Sequence, residues 1–428
     1  MRVLVVGGGG REHALGWALR RDGVADTLFT APGNPGTAGL GTNLPIAASA
    51  TDALLAAAAE HRIDLVVIGP EAPLAAGLAD RLRKSGRAVF GPGAAAARIE
   101  ASKAFAKEVM AAAHVPTAAS RTFSALAPAL AYIRTHLEPL VVKASGLAAG
   151  KGAVVCATRA EAEAAARGML EGGTLGDAGH EVVIEEFLDG EELSVLALTD
   201  GERIAILPPA QDHKRVGEGD TGPNTGGMGA YTPVSITRPA LLERVRTGVL
   251  APTLRELAAR GAPFSGVLYA GLMIAPDGTP NVVEFNCRFG DPETQAILPA
   301  LAPGVTRHLA DIALGSWRPE RGVLAPARAA VTTVLAARGY PDAPERGAAI
   351  TLPDAWPDDV LVFHAGTARD AGGTLRTAGG RVLSVTGLGA SVGAAAERSR
   401  AACARIAFEG KTWRRDIAWR EIARAGAP

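Results

Sequence analysis

Length, composition and charge exclude several classes of protein before any motif is considered. The chain has 428 residues, 48% of them hydrophobic, and its 44 basic and 44 acidic side chains do not favour a nucleic acid or a membrane surface as partner. The sequence has no apolar run of about twenty residues that could span a bilayer, no signal-peptide pattern, and three widely spaced cysteines without a metal or redox motif. We therefore expect a cytoplasmic, monomeric protein of two to four domains that acts on small molecules.

Strands and helices alternate in the first hundred residues. The pattern predicts strands at Arg2 to Val6, Thr27 to Thr30, Leu65 to Ile68 and Ala88 to Phe90, with helices from about Arg11 and Thr51. Short apolar strands separated by helices indicate a parallel sheet covered on both faces. Loops rich in glycine and proline follow these strands, and ligands of such sheets bind at the carboxyl ends of the strands.

The pattern changes to an α+β type after about Ala94. We expect one long helix from there through His114, and a hairpin with its turn at Pro276 to Gly278. The other predicted elements of this region are strands at Leu140 to Ala144, Ala153 to Ala157, Val182 to Leu188, Leu193 to Thr199, Gly266 to Ile274 and Pro280 to Asn286, and a helix at Arg159 to Leu170.

A third unit is expected after a stretch rich in proline and glycine, from about Trp317 to Arg328. Strands at Ala329 to Ala336, Val360 to His364 and Arg381 to Thr386 would be packed by a helix at Ser391 to Ile406. This composition predicts a small α+β domain at the end of the chain.

The segment Gly7 to His13 follows a strand and opens a helix. Backbone amides and the helix dipole at such a position form a natural phosphate site. A dinucleotide fingerprint is incomplete here, because Glu12 stands where a third glycine is expected and no acidic residue ends the second strand. A sugar phosphate is favoured over NAD, and glycines that serve only tight packing are the alternative. The predicted phosphate-binding residues are Gly8, Gly9, Gly10, Arg11 and Glu12.

Lys143 ends an apolar strand and is followed by a loop of small residues up to Gly152. This loop is not a Walker A motif, because Ser145 replaces a required glycine and Gly152 replaces the serine or threonine. It is typical of a flap that closes over phosphates with its amides, above a lysine on a rigid strand. A solvated lysine is the alternative, but an unpaired charge after Leu140 to Val142 would be costly.

Carboxylates and an amide interrupt two further apolar strands. The strand from Val183 ends in Glu185 and Glu186, where a nucleotide base could pair with the backbone and a nearby carboxylate could hold ribose, although acidic strand ends are often only solvated edges. Glu284 and Asn286 are two positions apart, so they face the same side of a strand and can offer two oxygens to one Mg²⁺ ion. A polar hairpin edge is the alternative for this pair.

These segments together resemble the ATP-grasp superfamily and, within it, the glycinamide ribonucleotide synthetase family. Seven motifs carry the resemblance along nearly the whole chain. They are Gly9 to Leu15, Ala31 to Asn34, Gly69 to Leu74, Ser102 to Phe105, Gln211 to Arg215, Thr221 to Tyr231 and Glu284 to Thr294, of which the last two are highly specific.

The resemblance implies an N-terminal domain at 1–100, an ATP-grasp domain at 101–324 with a mobile flap subdomain at about 118–192, and a C-terminal domain at 328–424. It implies a ligase of purine biosynthesis that uses ATP with Mg²⁺ or Mn²⁺ to phosphorylate the carboxylate of glycine, after which phosphoribosylamine displaces phosphate. The implied ATP contacts are Lys103, Lys143, Gly146, Gly150, Lys151, Gly152, Glu185, Glu186, Leu188 and Glu192.

The resemblance also assigns the metal to Glu284 and Asn286, the acyl phosphate oxygens to Arg288, and the orientation of glycine or the amine to Asp212, Asn224 and Asp291. Two features depart from the family. Ser145 replaces the usual aspartate, and the strand before the metal pair lacks the acid that many ATP-grasp enzymes carry there. Another ATP-grasp carboxylate ligase such as a carboxylase, an NAD-dependent oxidoreductase and a non-catalytic nucleotide sensor are the competing hypotheses.

Overall fold

The computed structural model describes residues 1–148, 152–173, 176–319 and 322–426, and it begins with a parallel sheet. The strands of this sheet are β1 Arg2–Gly7, β2 Thr27–Pro32, β3 Thr42–Asn43, β4 Leu65–Ile68 and β5 Ala88–Phe90. They lie in the order β3-β2-β1-β4-β5, so the chain reverses its direction of winding at β1. The loop after β1 therefore lies at the switch point where ligands of open parallel sheets bind.

Six helices accompany the first sheet. They are α1 Gly10–Arg21, α2 Thr51–Glu60, α3 Glu71–Ala75, α4 Leu78–Lys84, α5 Ala94–Ala101 and α6 Lys103–Ala112. The prediction of one long helix through His114 is wrong, because the backbone at Ser102 is extended and its side chain accepts a hydrogen bond from Phe105 N. Ser102 thus caps a new helix, and Lys103 is the first residue of that helix.

A four-stranded antiparallel sheet forms the region of the predicted flap. Its elements are β6 Ser120–Phe123, α7 Leu126–Arg134, β7 Leu140–Ala144, β8 Ala153–Cys156, α8 Arg159–Leu170 and β9 Val182–Glu186, with strand order β6-β9-β7-β8. Both helices pack on it, and their apolar side chains form a hydrophobic core that is separate from the rest of the molecule.

The central sheet is built around a long antiparallel hairpin. The elements of this region are β10 Glu191–Thr199, β11 Ile204–Ile206, β12 Gln211–Asp212, β13 Arg215–Gly217, β14 Thr221–Asn224, β15 Gly229–Thr232, α9 Pro239–Val245, α10 Ala251–Ala259, β16 Gly266–Ile274, β17 Pro280–Asn286, α11 Glu293–Ala300, α12 Val305–Leu314 and β18 Gly322–Val323. The sheet order is β17-β16-β10-β11-β18. The predicted hairpin at Pro276 to Gly278 is confirmed by the pairing of β16 with β17.

The last sheet combines two parts of the chain. The remaining elements are β19 Ala329–Ala336, β20 Val360–His364, β21 Thr367–Arg369, β22 Leu375–Thr377, β23 Arg381–Gly389, α13 Val392–Arg405 and α14 Trp419–Ala425. The sheet order is β12-β15-β19-β23-β20, so two strands from the central region complete it. The sequence pattern predicted only the three strands after residue 328, and this shared sheet brings Asp212 beside the C-terminal region.

One large hydrophobic core joins the N-terminal, central and C-terminal sheets, and it includes Leu4, Val195, Leu268 and Val331. A second core lies where α1 and α12 cover the other face of the first sheet. Within the described ranges, no helix is both long enough and apolar enough to cross a membrane.

Candidate active site

Lys143 lies on β7 inside a buried group of charges. Its Nζ atom lies 2.7 Å from Glu185 Oε2 and donates to the Val283 carbonyl at 3.0 Å. Lys107 Nζ lies 3.1 Å from the other oxygen of Glu185. Removing one partner of a buried ion pair typically costs about 3–5 kcal/mol, so these contacts fix the lysine in place. In this structure the charge of Lys143 is therefore matched by Glu185, and its contact with phosphate stays a prediction.

Strand β17 carries the predicted metal pair. Glu284 lies opposite Gly271 and Asn286 opposite Tyr269, so both side chains leave the same face of the hairpin. An irregularity between the two strands leaves Val283 as an extra residue, and such bulges redirect neighbouring groups. The carbonyl of Val283 accepts the hydrogen bond from Lys143, which ties β17 to β7.

The surroundings of Glu284 favour an ionised carboxylate. Burial alone would raise the pKa of Glu284, but Lys214, Lys143, Lys103 and Arg288 together hold this pKa below its usual range. An anionic oxygen with an amide oxygen two positions away supplies the hard donors that Mg²⁺ prefers. Within the described ranges, no group of three or more His, Cys, Asp and Glu side chains could hold a metal. A cation here would therefore need water or phosphate oxygens in addition, which is usual for magnesium.

Lys103 begins α6, where Ser102 and Ser145 hold the end of the helix. Ser145 Oγ accepts a hydrogen bond from Ala104 N at 3.2 Å, and the Ser145 carbonyl accepts one from Lys103 N at 2.8 Å. Burial lowers the pKa of Lys103, an effect opposed by Glu284 and strengthened by Lys143. Ser145 thus occupies a capping position at the amino end of the helix that carries Lys103.

The glycine-rich segment after β7 is described only in part. Gly146 N donates to the Ala178 carbonyl at 3.1 Å, and Ala144 N donates to the Gly152 carbonyl at 2.7 Å. A Cβ atom added at Gly146 would lie 2.6 Å from Ala178 Cα, so only glycine fits without movement. The two other predicted ATP contacts of this segment, Gly150 and Lys151, lie outside the described residues.

The acidic strand end after β9 serves more than one purpose. Glu186 Oε1 accepts a hydrogen bond from Ala119 N at 2.9 Å, so its carboxylate fastens β9 to the start of the flap region. Leu188 is half-buried in the turn that follows. Glu192 Oε2 lies 2.6 Å from Lys214 Nζ, and both side chains are partly exposed. Glu186 and Glu192 are thus partnered in this structure, and their adenosine contacts stay predictions.

Arg288 is held by two glutamates of the N-terminal region. Its Nη2 atom lies 2.8 Å from Glu100 Oε1 and its Nε atom 3.3 Å from Glu71 Oε2, while Nη1 donates to the Phe289 carbonyl at 3.2 Å. Glu100 also accepts a hydrogen bond from Cys287 N at 2.8 Å. Despite the opposing effect of burial, the two carboxylates keep the pKa of Arg288 above its usual range. The guanidinium is therefore charged and fixed in direction.

Glu12 folds back into the glycine loop after β1. Its Oε2 atom accepts a hydrogen bond from Gly9 N at 2.6 Å, and its Oε1 atom lies 2.7 Å from Arg11 Nε. A Cβ atom added at Gly9 would lie 2.8 Å from Glu12 Oε2. Because a carboxylate repels phosphate, these contacts favour a role for Glu12 in holding Arg11 and the loop. The phosphate prediction then depends on Arg11 and on the amides around Gly8 and Gly10.

Asp291 lies beside the same helix end. Its Oδ2 atom accepts a hydrogen bond from Arg11 N at 3.4 Å, and its Oδ1 atom lies 3.2 Å from Arg381 Nη1 and 2.7 Å from Gln295 Nε2. Burial would raise the pKa of Asp291, but Arg381 and Arg11 keep it below its usual range. Asp291 therefore joins the N-terminal loop, the metal hairpin and the C-terminal sheet.

Asp212 and Asn224 are placed differently, although they come from neighbouring motifs, at Gln211 to Arg215 and Thr221 to Tyr231. Burial raises the pKa of Asp212 to about 8, Lys214 opposes the rise, and Glu293 adds to it. Asn224 is exposed, on a two-stranded ribbon where it pairs with Arg215. The structure thus brings Asp212 towards the charged cluster and leaves Asn224 on the surface.

Several residues of this cluster had no predicted role. They are Glu71, Glu100, Lys107, Lys214, Glu293 and Arg381. Glu71, Lys214 and Glu293 lie within the motifs that carry the resemblance, and Lys107 follows Lys103 by one helical turn, so sequence signals existed for these four. Glu100 and Arg381 act through contacts between distant parts of the chain, which no local pattern reveals.

Comparison with known proteins agrees with this architecture. Family models match three segments: phosphoribosylglycinamide synthetase N domain at residues 1–100, its ATP-grasp (A) domain at 101–294, and its C domain at 330–420. A phosphoribosylamine–glycine ligase of Vibrio vulnificus (strain YJ016) is 47% identical over 434 residues, with 99% of each chain covered.

Two solved structures extend the comparison. The crystal structure of phosphoribosylamine–glycine ligase from Thermotoga maritima has a TM-score of 0.87 and 37% identity, and the match covers 98% of this chain and 100% of that one. A biotin carboxylase domain from Hydrogenobacter thermophilus shares the fold at a TM-score of 0.74 and 15% identity, over 96% and 91% of the two chains. The predicted resemblance is confirmed: the chain belongs to the phosphoribosylglycinamide synthetase family and is an ATP-grasp ligase.

Proposed function

We propose that the chain joins glycine to phosphoribosylamine with ATP, giving glycinamide ribonucleotide, ADP and phosphate in purine biosynthesis. The observation that carries the proposal is a partly buried cluster of charges: Lys143 Nζ donates to the Val283 carbonyl beside Glu284, and the positive charges of Lys103, Lys143 and Arg288 keep the pKa of Glu284 low. Such a cluster suits phosphoryl transfer, where positioning and charge neutralisation supply most of the catalysis. The identity of the substrates is inferred from the relatives named phosphoribosylamine–glycine ligase.

The nucleotide is proposed to lie between the flap sheet and the central hairpin. Lys103 and Lys143 reach this space from α6 and β7, and their positive charges would neutralise phosphate. Val155 is 45% exposed and lies opposite Val141, on the same face of the flap sheet as Lys143 and Glu185, so it offers apolar surface for the base. The proposed ATP contacts are Lys103, Lys143, Gly146, Gly150, Lys151, Gly152, Glu185, Glu186, Leu188 and Glu192.

Glu284 and Asn286 are proposed to hold Mg²⁺ or Mn²⁺. When bound, the cation would neutralise charge on the phosphates of ATP. The protein contributes the fixed spacing of the two oxygens on β17 and the nearby cations that keep Glu284 ionised. Two protein ligands leave room for phosphate oxygens, which couples metal binding to nucleotide binding.

Two chemical steps follow from the proposal. A carboxylate oxygen of glycine attacks the γ-phosphorus of ATP, and ADP leaves. The amine of phosphoribosylamine then attacks the carbonyl carbon of glycyl phosphate, loses a proton, and phosphate leaves with one former carboxylate oxygen. Arg288 is proposed to steady the acyl phosphate oxygens, while Asp212, Asn224 and Asp291 orient glycine or the amine. The fixed guanidinium of Arg288 fits this role, because preorganised charge is worth most in a site closed to water.

The sugar phosphate is proposed to bind at the amino end of α1. Gly8 and Gly10 would contribute amides and Arg11 its charge, while Gly9, whose amide donates to Glu12 Oε2, and Glu12, which contacts Arg11 Nε, would hold the loop in place. The domain limits belong to the same proposal: 1–100, 101–324 and 328–424, with the flap at about 118–192. A separate hydrophobic core from Phe123 to Ile184 supports the flap as a unit.

The order of chemistry is tested with glycine that carries heavy oxygen in its carboxylate. After turnover with ATP and phosphoribosylamine, we expect one labelled oxygen in inorganic phosphate and ADP as the nucleotide product. ADP release should require both glycine and phosphoribosylamine when a panel of amino acids is compared. Label in AMP, or phosphate without label, would contradict the glycyl phosphate route, and ADP release that does not depend on phosphoribosylamine would contradict the ligase itself.

A further inference from the structure

The segment from Arg414 to Arg420, here called the clasp, holds a hairpin that starts two hundred residues earlier. This hairpin, here called the ribbon, consists of β13, β14 and the turn between them, and it directly follows Asp212, His213 and Lys214. One clasp amide contacts the ribbon, because Arg415 N donates to Glu218 Oε1 at 3.0 Å, and another contacts the residue two before it, because Ala418 N donates to His213 Nε2 at 2.9 Å.

Arg414 is the centre of the clasp. It is 1% exposed, and its Nη1 atom donates to the Arg215 carbonyl at 3.0 Å and to Asp220 Oδ1 at 2.9 Å. The other edge of the guanidinium binds Asp416, with Nε at 2.9 Å from Oδ1 and Nη2 at 2.8 Å from Oδ2. Asp416 Oδ2 in turn accepts a hydrogen bond from Gly219 N at 2.9 Å. The planar fork of arginine therefore fixes both the backbone and the turn of the ribbon.

The turn of the ribbon is itself under conformational restraint. Gly219 and Asp220 both have positive φ, at 67° and 56°, as a tight turn between antiparallel strands requires. Positive φ is uncommon for residues other than glycine, although aspartate and asparagine adopt it more readily than most. Asp220 also lies 2.6 Å from Arg420 Nη2. Its carboxylate thus ties a restrained turn to two arginines of the clasp.

His213 adds a second, neutral attachment. Because its Nε2 atom accepts a hydrogen bond from Ala418 N, the neutral ring carries its proton on Nδ1. Burial, as the largest effect, lowers the pKa of His213, so the ring stays neutral. The Nδ1 atom lies 3.6 Å from Asp220 Oδ1, which is longer than a hydrogen bond but directs the N–H towards the same carboxylate.

The ribbon leads directly into the charged cluster. Lys214 Nζ lies 2.6 Å from Glu192 Oε2, and its charge also acts on Asp212 and Glu284. The carbonyl of Lys214 accepts a hydrogen bond from Thr225 N at 2.7 Å, so both ends of the ribbon are fastened at this lysine. A shift of the ribbon would therefore displace Lys214 together with Asp212 and Asn224, two of the residues that the proposed function assigns to orienting glycine or the amine.

We propose that Arg414 is a positioning residue. By clamping the ribbon through Asp220, it sets the positions of Asp212 and Lys214, beside the proposed site of glycine and the amine. This proposal rests on the proposed function for the identity of the substrates. The clamp itself is independent of the proposed function, because hydrogen exchange in the free protein measures it without turnover.

The test compares Arg414→Met, Asp220→Asn and the double variant with the unaltered chain. Asparagine suits Asp220 because it keeps the size of the side chain and its tolerance of positive φ. We expect kcat/KM for glycine to fall about 10- to 100-fold in each single variant, since displacement of a positioned group by about 1 Å can cost about 100-fold. The KM for ATP should change less than about threefold, because Lys103 and Lys143 lie on other elements. The double variant should be no worse than the worse single variant.

Hydrogen exchange of peptides covering 211–225 in the free protein is the second readout, and it should become faster in both single variants. Arg400→Met is the matched control: among the described residues this partly buried arginine makes one long hydrogen bond to the clasp, to the Arg415 carbonyl at 3.4 Å, and its loss should change neither exchange nor kinetics. If Arg414→Met does not fold, Arg414→Lys and Asp220→Asn carry the test.

A lower melting temperature with unchanged kcat/KM for glycine would overturn the proposal, as would unchanged exchange in the ribbon or strictly additive losses in the double variant. An unaltered chain without ligase activity would instead contradict the proposed function. In that case the exchange data alone decide whether the clasp holds the ribbon.

Discussion

The flap sheet and the central hairpin face the same proposed nucleotide site, but they are built differently. The flap has its own core, and its edge strand β8 leaves Val154 and Val155 38% and 45% exposed. The hairpin shares one large core with the N-terminal and C-terminal sheets, and Phe285 beside the metal pair is only 2% exposed. The predicted metal pair therefore lies on the shared core, whereas Lys143 and the strands that would cover the ligand belong to a separate unit, tied to the hairpin through the Val283 carbonyl.

The largest expected effect comes from the fixed side of this comparison. Glu284→Gln removes one anionic oxygen but keeps the shape of the side chain. Because the ionised Glu284, whose pKa four nearby positive side chains keep low, would hold the cation, we expect kcat to fall about 100- to 1,000-fold, in the range seen when one preorganised charge-stabilising group is lost. The measurement is ADP release at saturating ATP, glycine and phosphoribosylamine.

Asp277→Asn serves as the control for Glu284→Gln, because it removes a carboxylate from the exposed turn of the same hairpin. Both variants should melt within a few degrees of the unaltered chain. Near-normal turnover of Glu284→Gln at limiting magnesium would contradict the metal assignment.

The second prediction concerns the buried contact between α1 of the N-terminal region and β20 of the C-terminal sheet. His13 Nδ1 accepts a hydrogen bond from His364 N at 2.8 Å, between α1 and β20. Burial, and then the charge of His364, lower the pKa of His13 to about 3. Between this value and the ordinary pKa of about 6.5 the unfolded chain binds a proton that the folded chain does not, so stability falls as pH decreases through this window. His13 should account for about 2 kcal/mol of lost unfolding free energy at pH 5 relative to pH 7.

Urea unfolding of the unaltered chain and of His13→Gln at the two pH values measures this effect. The variant should lose less unfolding free energy between pH 7 and pH 5. An identical pH dependence in both proteins would show that His13 does not govern the acid sensitivity of this contact.

The third prediction separates the two substrates. In Gly9→Val the new Cβ atom would lie 2.8 Å from Glu12 Oε2 and 3.5 Å from Asp291 Oδ2, so the carboxylate that holds Arg11 must move. We expect the KM for phosphoribosylamine to rise about tenfold, which corresponds to about 1.4 kcal/mol, with little change for ATP. Gly39→Val is the control, because a Cβ atom there meets nothing within 4 Å. A rise in the KM for ATP alone would indicate that the nucleotide, not the sugar phosphate, binds at the N-terminal sheet.

The proposed covering role of the flap sheet is tested by hydrogen exchange. Bound nucleotide and magnesium should slow exchange in β7 and β8, because the face of the sheet that carries Lys143 and the exposed Val155 would become covered. Exchange in β16 should change little, since this strand is already buried in the shared core. Equal slowing in both strands, or none in β8, would contradict a covering role for the flap sheet.

Local patterns in the sequence predicted many element bounds, including β16 and β17, because apolar runs and the turn at Pro276 to Gly278 define that hairpin. Contacts between distant residues explain what was not predicted. The break at Ser102 depends on hydrogen bonds from a helix end to Ser145, just after β7, which helix propensity does not encode. Strands β12 and β15 join the C-terminal sheet by pairing with β19.

The candidate site shows the same division. Residue types were enough to select Lys143, Glu284 and Asn286 as candidates, because charged and polar groups within apolar strands need partners, and their ligands stay predictions. The partner of Lys143 could not be predicted, since Glu185 lies on β9, which pairs with β7 only in the folded sheet. The clamp of Arg414 on Asp220 was also unpredictable, because it joins a surface turn to a segment near the end of the chain.

The smallest expected effect is that of Ser145→Asp, which restores the aspartate usual in the family. Ser145 Oγ already accepts a hydrogen bond from Ala104 N, and it lies 3.4 Å from Ser102 Oγ at the amino end of α6. A carboxylate there would face the positive end of the helix dipole, worth about 0.3–1 kcal/mol, so stability should not fall and kcat should stay within about twofold. Ser145→Ala is the contrast: it leaves the amide without its acceptor and should cost about 1 kcal/mol. Thermal melting and ADP release measure both variants. A tenfold loss of kcat in Ser145→Asp would mean that the hydroxyl does more than cap the helix, and the capping role would have to be given up.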